Sequence, residues 1–350
     1  MSIQKLRESV NYLVLAISLT AGLTTVSSCS AEPVDTVSSI EKIDTSQSYQ
    51  LGLNYYEGRS VKQDYNKAFE LFQEAANQGD SQAQFQLGNM YENGQGVYKD
   101  KNKAAQWYKK AAEQGLADAQ NNLAMLYYYN QVPKFDSDQS ITWFEKAAAQ
   151  GQPESQYHLG LVYEYGYSRP INYNQAVIWY QKASEQSFTP AQYNLGTLYL
   201  GKKGVNQDYD KARKLYQKAA DLGFSPAQHN LGVMYEKGEG VKQDYKKAAQ
   251  WYQKAAEQGY SLSQNDLGSL YYSGRGVEED YDKAFELYSK AAAQEEAIAQ
   301  FNLGEMYYYG DSVPQDYNKA YEWYQKAADQ SYQEAQDRID QLRNEGKINR

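Results

Sequence analysis

The sequence predicts an all-α protein, an α/α superhelical solenoid of eight 36-residue helix-turn-helix repeats closed by a C-terminal capping helix. Three observations carry this. A leucine recurs at a strict interval of 36, as Leu51, Leu87, Leu123, Leu159, Leu195, Leu231, Leu267 and Leu303, with no insertion or deletion in the series. Around each leucine, small and apolar residues recur at helical spacing. Between the two helical stretches of each copy lie glycines and an Asp or Asn, the residues of turns and helix caps. A fixed period of this size marks stacked supersecondary units, because one unit can bury its apolar face only against its neighbours. The 350 residues have the length of two or three ordinary domains. The repeat nevertheless fills 46–331, leaving a leader over 1–28, a tether over 29–45, and a capping helix and tail over 332–350.

Counting from the leucine, small residues stand four before it (Ala83, Ala119, Ser155, Ala191, Ala227, Ser263, Ala299) and glutamine often three before it, as in Gln84, Gln156 and Gln228. Glycine comes one after it except at Ala124, and tyrosine four after it from Tyr55 to Tyr307. At 100° per residue these positions fall on one side of a helix, helix A. Glycine inside a helix costs about 1 kcal/mol relative to alanine, so its recurrence predicts close approach of a second helix. Helix A ends in turns such as Gly94-Gln95-Gly96-Val97 and Gly238-Glu239-Gly240-Val241. No strand precedes these loops and no Lys-Ser or Lys-Thr pair follows, so they are turns and not phosphate cradles.

An Asp or Asn thirteen after the leucine opens helix B as its N-cap: Asp64, Asp100, Asp136, Asn172, Asp208, Asp244, Asp280 and Asp316. Helix B then carries Ala or Ser at seventeen, Trp or Leu at twenty, an aromatic at twenty-one and Ala at twenty-four, one apolar stripe. All five tryptophans (Trp107, Trp143, Trp179, Trp251, Trp323) occupy the position twenty after the leucine, which Leu71, Leu215 and Leu287 hold elsewhere. They read as core spacers. Lysines at sixteen and twenty-three, such as Lys211 with Lys218 and Lys247 with Lys254, read as a solvated flank. The segment from Gln333 to Asn344 starts like a ninth helix A, with Asp340 where the glycine would stand, and reads as a polar-backed cap.

The leader has Lys5 and Arg7, an apolar run from Tyr12 to Leu23, and small polar residues before Cys29, the three parts of an export signal. The apolar run is shorter than the ~20 residues a permanent span requires. Val26-Ser27-Ser28-Cys29 resembles the lipobox of bacterial lipoproteins, and Cys29 is the single cysteine in the chain. The resemblance implies acylation of Cys29 after cleavage, and Ser30 in place of Asp implies an outer-membrane address facing the periplasm. Acyl chains would hold the protein to the membrane without a spanning helix, and residues 30–45 would serve as a flexible tether of roughly 20 Å. Loss of 1–28 removes Lys5, Arg7 and Glu8, leaving 33 basic and 43 acidic residues, net −10. That balance argues against nucleic acid and against electrostatic adhesion to anionic lipid.

The patterns A-x-x-x-L-G-x-x-Y, G-x-G-V-x-x-D and A-x-x-W-Y-x-x-A-A-x-x-G resemble the Sel-1-like repeat family, relatives of the tetratricopeptide repeats, over about 46–345. The resemblance implies a right-handed superhelix whose A helices line a concave surface, and work as a non-enzymatic adaptor that binds other proteins in envelope quality control, signalling or host contact. Independently of it, positions two before, two after and five after the leucine point about 110–170° away from the buried side of helix A. They carry Tyr49, Phe85, Tyr157, Tyr193, His229 and Phe301 in the first set, and Tyr56, Tyr128, Tyr272 and Tyr308 in the third. Tyrosine combines large contact area with a hydroxyl, so these residues are the expected contacts for an envelope or host protein or peptide.

A cell-wall glycan is the alternative ligand, with Glu92, Glu164 and Glu236 accepting sugar hydroxyls. Asn122, Asn194, Asn230 and Asn302, one before the leucine, match the asparagine part of a carboxylate clamp whose basic part is missing. His158 and His229 lie two repeats apart, roughly 20 Å at one helix-packing distance per layer. They are not expected to share a metal or a proton. No nucleophile elbow is present, and neither enzyme activity nor a cofactor is expected.

Overall fold

The computed structural model describes residues 45–132, 137–201 and 203–348. The leader, Cys29, the tether as far as 44, and Asp136 lie outside them. The described residues form seventeen helices and no strand. The chain divides into two compact units, Met1–Ala191 and Gln192–Arg350. Copies one to four place helix A at Thr45–Glu57, Ser81–Asn93, Ala117–Tyr128 and Pro153–Tyr165, and helix B at Tyr65–Asn77, Lys101–Glu113, Ser137–Ala149 and Tyr173–Glu185. Copies five to eight place helix A at Thr189–Tyr199, Ser225–Lys237, Ser261–Ser273 and Ala297–Tyr309, and helix B at Tyr209–Asp221, Tyr245–Glu257, Tyr281–Ala292 and Tyr317–Asp329. Gln333–Asn344 is the last helix. The fold is the expected α/α solenoid with a C-terminal helix.

Each helix B begins where the cap residue predicts. Asp100 Oδ1 accepts from the amides of Asn102 and Lys103 at 3.0 Å each, and Asn172 accepts from Gln175 at 3.1 Å. Asp64, Asp208, Asp244, Asp280 and Asp316 do the same in their copies. Helix A ends on a left-handed glycine in most copies; Gly94, with φ 76°, returns its amide to Met90 O at 2.8 Å. The second glycine of that turn has a different reason to be small. A Cβ on Gly96 would stand 2.4 Å from the carbonyl oxygen of Tyr65, at the start of the preceding helix B.

The two helices of a copy close on one contact. The aromatic twenty-one after the leucine (Phe72, Tyr108, Phe144, Tyr180, Tyr216, Tyr252, Tyr288, Tyr324) is buried in all eight copies. In seven it lies directly against the helix-A glycine: a Cβ on Gly88 would stand 2.4 Å from the Tyr108 ring, and one on Gly160 2.3 Å from Tyr180. Copy three uses Ala124, fully buried in the same cluster as Phe144. The glycine is therefore a packing requirement, as its helical cost implied.

Successive copies are joined by buried glutamines. Gln84 Nε2 donates to Ala76 O at the end of the preceding helix B (3.2 Å), while Gln84 Oε1 accepts from Gln114 Nε2 at 2.8 Å. The same side-chain pair recurs as Gln120 with Gln150, Gln156 with Gln186, Gln228 with Gln258, Gln264 with Gln294 and Gln300 with Gln330. Copy five breaks the series. Its second position holds Leu222, 62% exposed, and the buried Oε1 of Gln192 has no donor among the described residues.

The two ends differ. Leu51 is 41% exposed, whereas its counterparts from Leu87 to Leu303 are buried. Asn54 stands three after it, where Met90, Leu126, Val162, Leu198, Met234, Leu270 and Met306 are buried in later copies. At the other end Ile339 takes the leucine position of a ninth helix A and is fully buried with Ala335 and Leu342.

The helix-B lysines are more engaged than a solvated flank. Lys110, Lys146, Lys182, Lys254 and Lys326 lie 3.7–4.2 Å over the rings of Trp107, Trp143, Trp179, Trp251 and Trp323. Those at sixteen, such as Lys67 and Lys211, lie 5.0–5.2 Å from the tyrosine four after the leucine. The long stems cover aromatic faces while the ammonium groups stay in water.

The broken glutamine pair yields a stability test. Leu222→Gln supplies the missing donor to Gln192 and should raise unfolding free energy by about 1 kcal/mol, read as a higher urea midpoint at unchanged slope. Leu222→Ala, which removes the exposed side chain without providing a donor, should not reproduce the gain; equal gains would mean that the hydrogen bond is not the cause.

Candidate partner-binding face

Helix A presents a stripe made of the positions two before, one before, two after and five after the leucine. Most of it is half-buried, because the residue two before the leucine leans on the buried ring of its own copy. Tyr49 meets Phe72 at 5.8 Å, Phe85 meets Tyr108 at 5.8 Å, Tyr193 meets Tyr216 at 5.7 Å and Phe301 meets Tyr324 at 5.6 Å between centroids. From the other side the N-cap residue of the following helix closes in, as Phe224 does on Tyr193 (5.5 Å) and Tyr332 on Phe301 (5.3 Å).

This packing corrects the expected exposure at three positions. Tyr157 is 1% exposed, held between Tyr180 and Phe188. Tyr128 is 5% exposed, within 5.8 Å of Phe144, His158 and Tyr167. Tyr308 is 8% exposed beneath the end of the chain: Lys347 Nζ donates to its hydroxyl at 3.0 Å and lies 4.7 Å over its ring. The helical-wheel angle fails because it assumes a single packing partner, and helix A has several.

The remaining two tyrosines five after the leucine are half-buried and reach the turn of the next copy. Tyr56 donates to Gln95 Oε1 at 2.8 Å, and Tyr272 to Asp311 Oδ2 at 2.7 Å. Burial raises the hydroxyl pKa of both, and the Asp311 carboxylate adds to the shift at Tyr272. Lys347, Gln95 and Asp311 occupy equivalent positions, so the C-terminal tail stands where the turn of a ninth copy would be.

The carboxylates set aside for sugar hydroxyls already have partners. Glu92 accepts from Tyr108 (2.7 Å), Glu164 from Tyr180 (2.6 Å) and Glu236 from Tyr252 (2.6 Å). In the other tyrosine copies Thr197, Ser269 and Glu305, two after the leucine, hydrogen-bond the hydroxyls of Tyr216, Tyr288 and Tyr324. Copies one and three carry Phe72 and Phe144, and there both stripe positions lack a short polar acceptor: Leu53 with Tyr56, and Met125 with Tyr128. The pairing is legible in the sequence only when the ring position and the two stripe positions of each copy are compared. Two of the clamp asparagines are likewise engaged by other asparagines, Asn122 donating to Asn89 (3.4 Å) and Asn302 to Asn265 (2.9 Å).

The second unit brings Ser263, His229 and Asp266 together. His229 Nδ1 lies 3.1 Å from Ser263 Oγ and 3.8 Å from Asp266 Oδ2. Burial, helped by Lys237, lowers the imidazole to about 4, and burial with Glu236 nearby raises Asp266 to about 6. The histidine is therefore neutral at pH 7 and the Asp266 contact is not an ion pair. Both partners address the same ring nitrogen and Ser263 is fully buried, so the three cannot relay a proton to a reachable nucleophile. No group of three metal-binding side chains occurs among the described residues.

His158, one before the leucine of copy four, is fully buried and stacks on Phe144 at 4.9 Å and 11°. Neither ring nitrogen has a hydrogen-bond partner among the described residues.

These features define a tandem α/α repeat scaffold whose copies repeat one packing pattern and differ along one face. The chain belongs to the Sel1 repeat family, whose model matches 48–80, 81–116, 117–152, 153–188, 189–224, 225–260, 261–295 and 297–332. Sel1 and tetratricopeptide-like scaffolds are generally protein-interaction modules. The chain is similar to the crystal structure of c5321, a protective antigen present in uropathogenic Escherichia coli strains that displays an SLR fold, at 35% identity and a TM-score of 0.81 over 87% of this chain. It spans 65% of that protein's chain. It is also similar to a Sel1 repeat protein from Oxalobacter formigenes, at 33% identity and a TM-score of 0.67, covering 86% of this chain and 87% of the other. No curated protein sequence matches.

His158 sets a pH dependence. Burial lowers its pKa from 6.5 to about 3, so between those values the unfolded chain binds the extra proton and stability falls as pH drops. At pH 5 the loss is about 2 kcal/mol relative to pH 7. His158→Leu should flatten the unfolding free energy between pH 7 and 5 by that amount; an unchanged slope in urea titrations would refute the assignment.

Proposed function

We propose that this chain is a non-enzymatic scaffold of the bacterial cell envelope that recruits an envelope or host protein or peptide along its helix-A stripe. The supporting observation is the stripe's half-buried aromatic set. Phe85, Tyr193, His229 and Phe301 differ between copies while the rings beneath them stay aromatic, and each is held in orientation by that ring. Side chains fixed before contact lose little entropy on binding. With Tyr128, Tyr157 and Tyr308 buried, the contact set narrows to Tyr49, Tyr56, Phe85, Tyr193, His229, Tyr272 and Phe301. Engagement of Glu92, Glu164 and Glu236 by tyrosine hydroxyls favours protein over glycan.

Cys29 is the proposed anchor, acylated after removal of 1–28, with the outer membrane facing the periplasm as the address. Its support is the sequence Val26-Ser27-Ser28-Cys29-Ser30. The similarity to a protective antigen, c5321, fits an exported protein.

Two measurements test these parts separately. Mass spectrometry of the mature protein should find an acylated N-terminal Cys29, with the precursor accumulating under globomycin and in Cys29→Ala; an unmodified N-terminus or unchanged processing would remove the anchor. For the stripe, p-benzoylphenylalanine placed at Phe85, Tyr193 or Phe301 should give discrete crosslinked adducts in intact cells, while the same group at Gln106 or Gln181 on helix B should not. Identical adducts from both sets would refute the stripe.

A further inference from the structure

On the helix-B side of the second unit, copies six and seven enclose an open cleft of about 600 Å³ lined by Lys246, Lys247, Trp251, Lys254, Tyr271 and Val277 among others. Its floor is apolar: Leu267 and Ala249 are buried beneath it, and Tyr271 and Val277 are half-buried in the same cluster. Among the described residues no carboxylate lines it. A second hollow of about 440 Å³ adjoins it through Tyr235 and Lys247 and adds Arg213 and Lys242. Asp244 is the one carboxylate lining that hollow among the described residues, and its Oδ1 already accepts from the Lys247 amide at 3.0 Å.

The charge of this surface is specific to these copies. Fifteen after the leucine the other seven copies carry Asn66, Asn102, Asp138, Asn174, Asp210, Asp282 and Asn318, and only copy six carries Lys246. Eighteen after it the others carry Phe69, Ala105, Ile141, Val177, Ala249, Phe285 and Tyr321, and only copy five carries Arg213. Two uncharged or acidic positions have thus become cationic at adjoining hollows, in a chain of net charge −9. Lys254 lies 4.1 Å over the Trp251 ring and Lys247 5.2 Å from the Tyr235 ring, so their ammonium groups sit at the edge of apolar surface. Arg213 is partly neutralised by Asp210 at 3.5 Å, and Lys247 by Asp244 at 4.0 Å. Lys246 is exposed and makes no ion pair among the described residues.

We infer that this cleft binds an acidic peptide segment of a partner protein, with one apolar side chain seated beside Trp251 and Tyr271 and flanking carboxylates met by Lys246, Lys247 and Lys254. Complementarity of charge identifies the occupant, and the cleft's volume is that of a binding site rather than a packing void. The cleft is lined by helix B of copy six together with Tyr235, Leu267 and Tyr271 of helix A, none of which belongs to the helix-A stripe, so either surface can fail without the other.

The probe is a blocked hexapeptide of glutamates with one central phenylalanine, titrated calorimetrically into the purified full chain. Binding should weaken with rising salt, and replacing either the glutamates by glutamine or the phenylalanine by alanine should weaken it further. Lys246→Asn and Trp251→Leu each install a residue that sibling copies carry at the same position, so both should fold. Each should lower the affinity by about fivefold or more, the equivalent of about 1 kcal/mol. Absence of binding, or unchanged affinity in both variants, overturns the inference. So does Lys246-dependent binding to phosphatidylglycerol vesicles or single-stranded DNA without binding to the peptide.

Discussion

The joint on which every copy depends is the contact between the aromatic twenty-one after the leucine and the helix-A residue one after it, a glycine in all copies but one. Burying such a ring contributes about 3 kcal/mol, more than the roughly 1 kcal/mol lost by placing glycine in a helix. The exchange is therefore favourable, and it sets how closely the two helices approach. It also carries an obligation. Where the ring is a tyrosine, its hydroxyl emerges on the far side of helix A and must find an acceptor there, because an unpaired buried hydroxyl is expensive. The chain answers with Asn89 and Glu92, Glu164, Thr197, Glu236, Ser269 or Glu305. Part of what varies along the helix-A stripe is thus dictated from inside the core.

Most of the architecture was legible in the sequence. The leucine interval, the Asp and Asn caps, the paired glycines of the turns and the alanines of helix B each act locally, through backbone angles or a single helical face, and among the described residues the structure places them as expected. Exposure was harder to read. Tyr128, Tyr157 and Tyr308 stand at positions that an isolated helix would turn toward solvent, but neighbouring copies and the tail close over them. The glutamine joints were half visible: Gln84 and its equivalents recur, but the partner lies thirty residues on, where no local period connects the two. The lysines of helix B were misread for a related reason, since charge pattern alone does not show the ring beneath an ammonium group.

The two helices of each copy have different duties. Helix A carries the joint, the glutamine links and a stripe of oriented aromatics. Helix B carries lysines resting on tryptophan or tyrosine, and in copies five and six this layer gains Arg213 and Lys246. Repetition makes such departures easy to recognise, because sibling copies show what the fold needs at each position. A side chain that breaks the pattern without a packing reason, as Lys246 does, stands out against seven controls in the same molecule.

The last described stretch of the chain imitates one more module. Ile339 fills the leucine position and Lys347 reaches back to Tyr308 as Gln95 reaches Tyr56 and Asp311 reaches Tyr272, yet Asp340 and the surrounding charged residues offer nothing for another module to grip. A head-to-tail array whose final surface matched its first would invite open-ended polymerisation between molecules. By borrowing the shape of one more module, the last helix buries Ile339, Ala335 and Leu342 against copy eight while leaving charged Asp340 exposed where a module's glycine would stand.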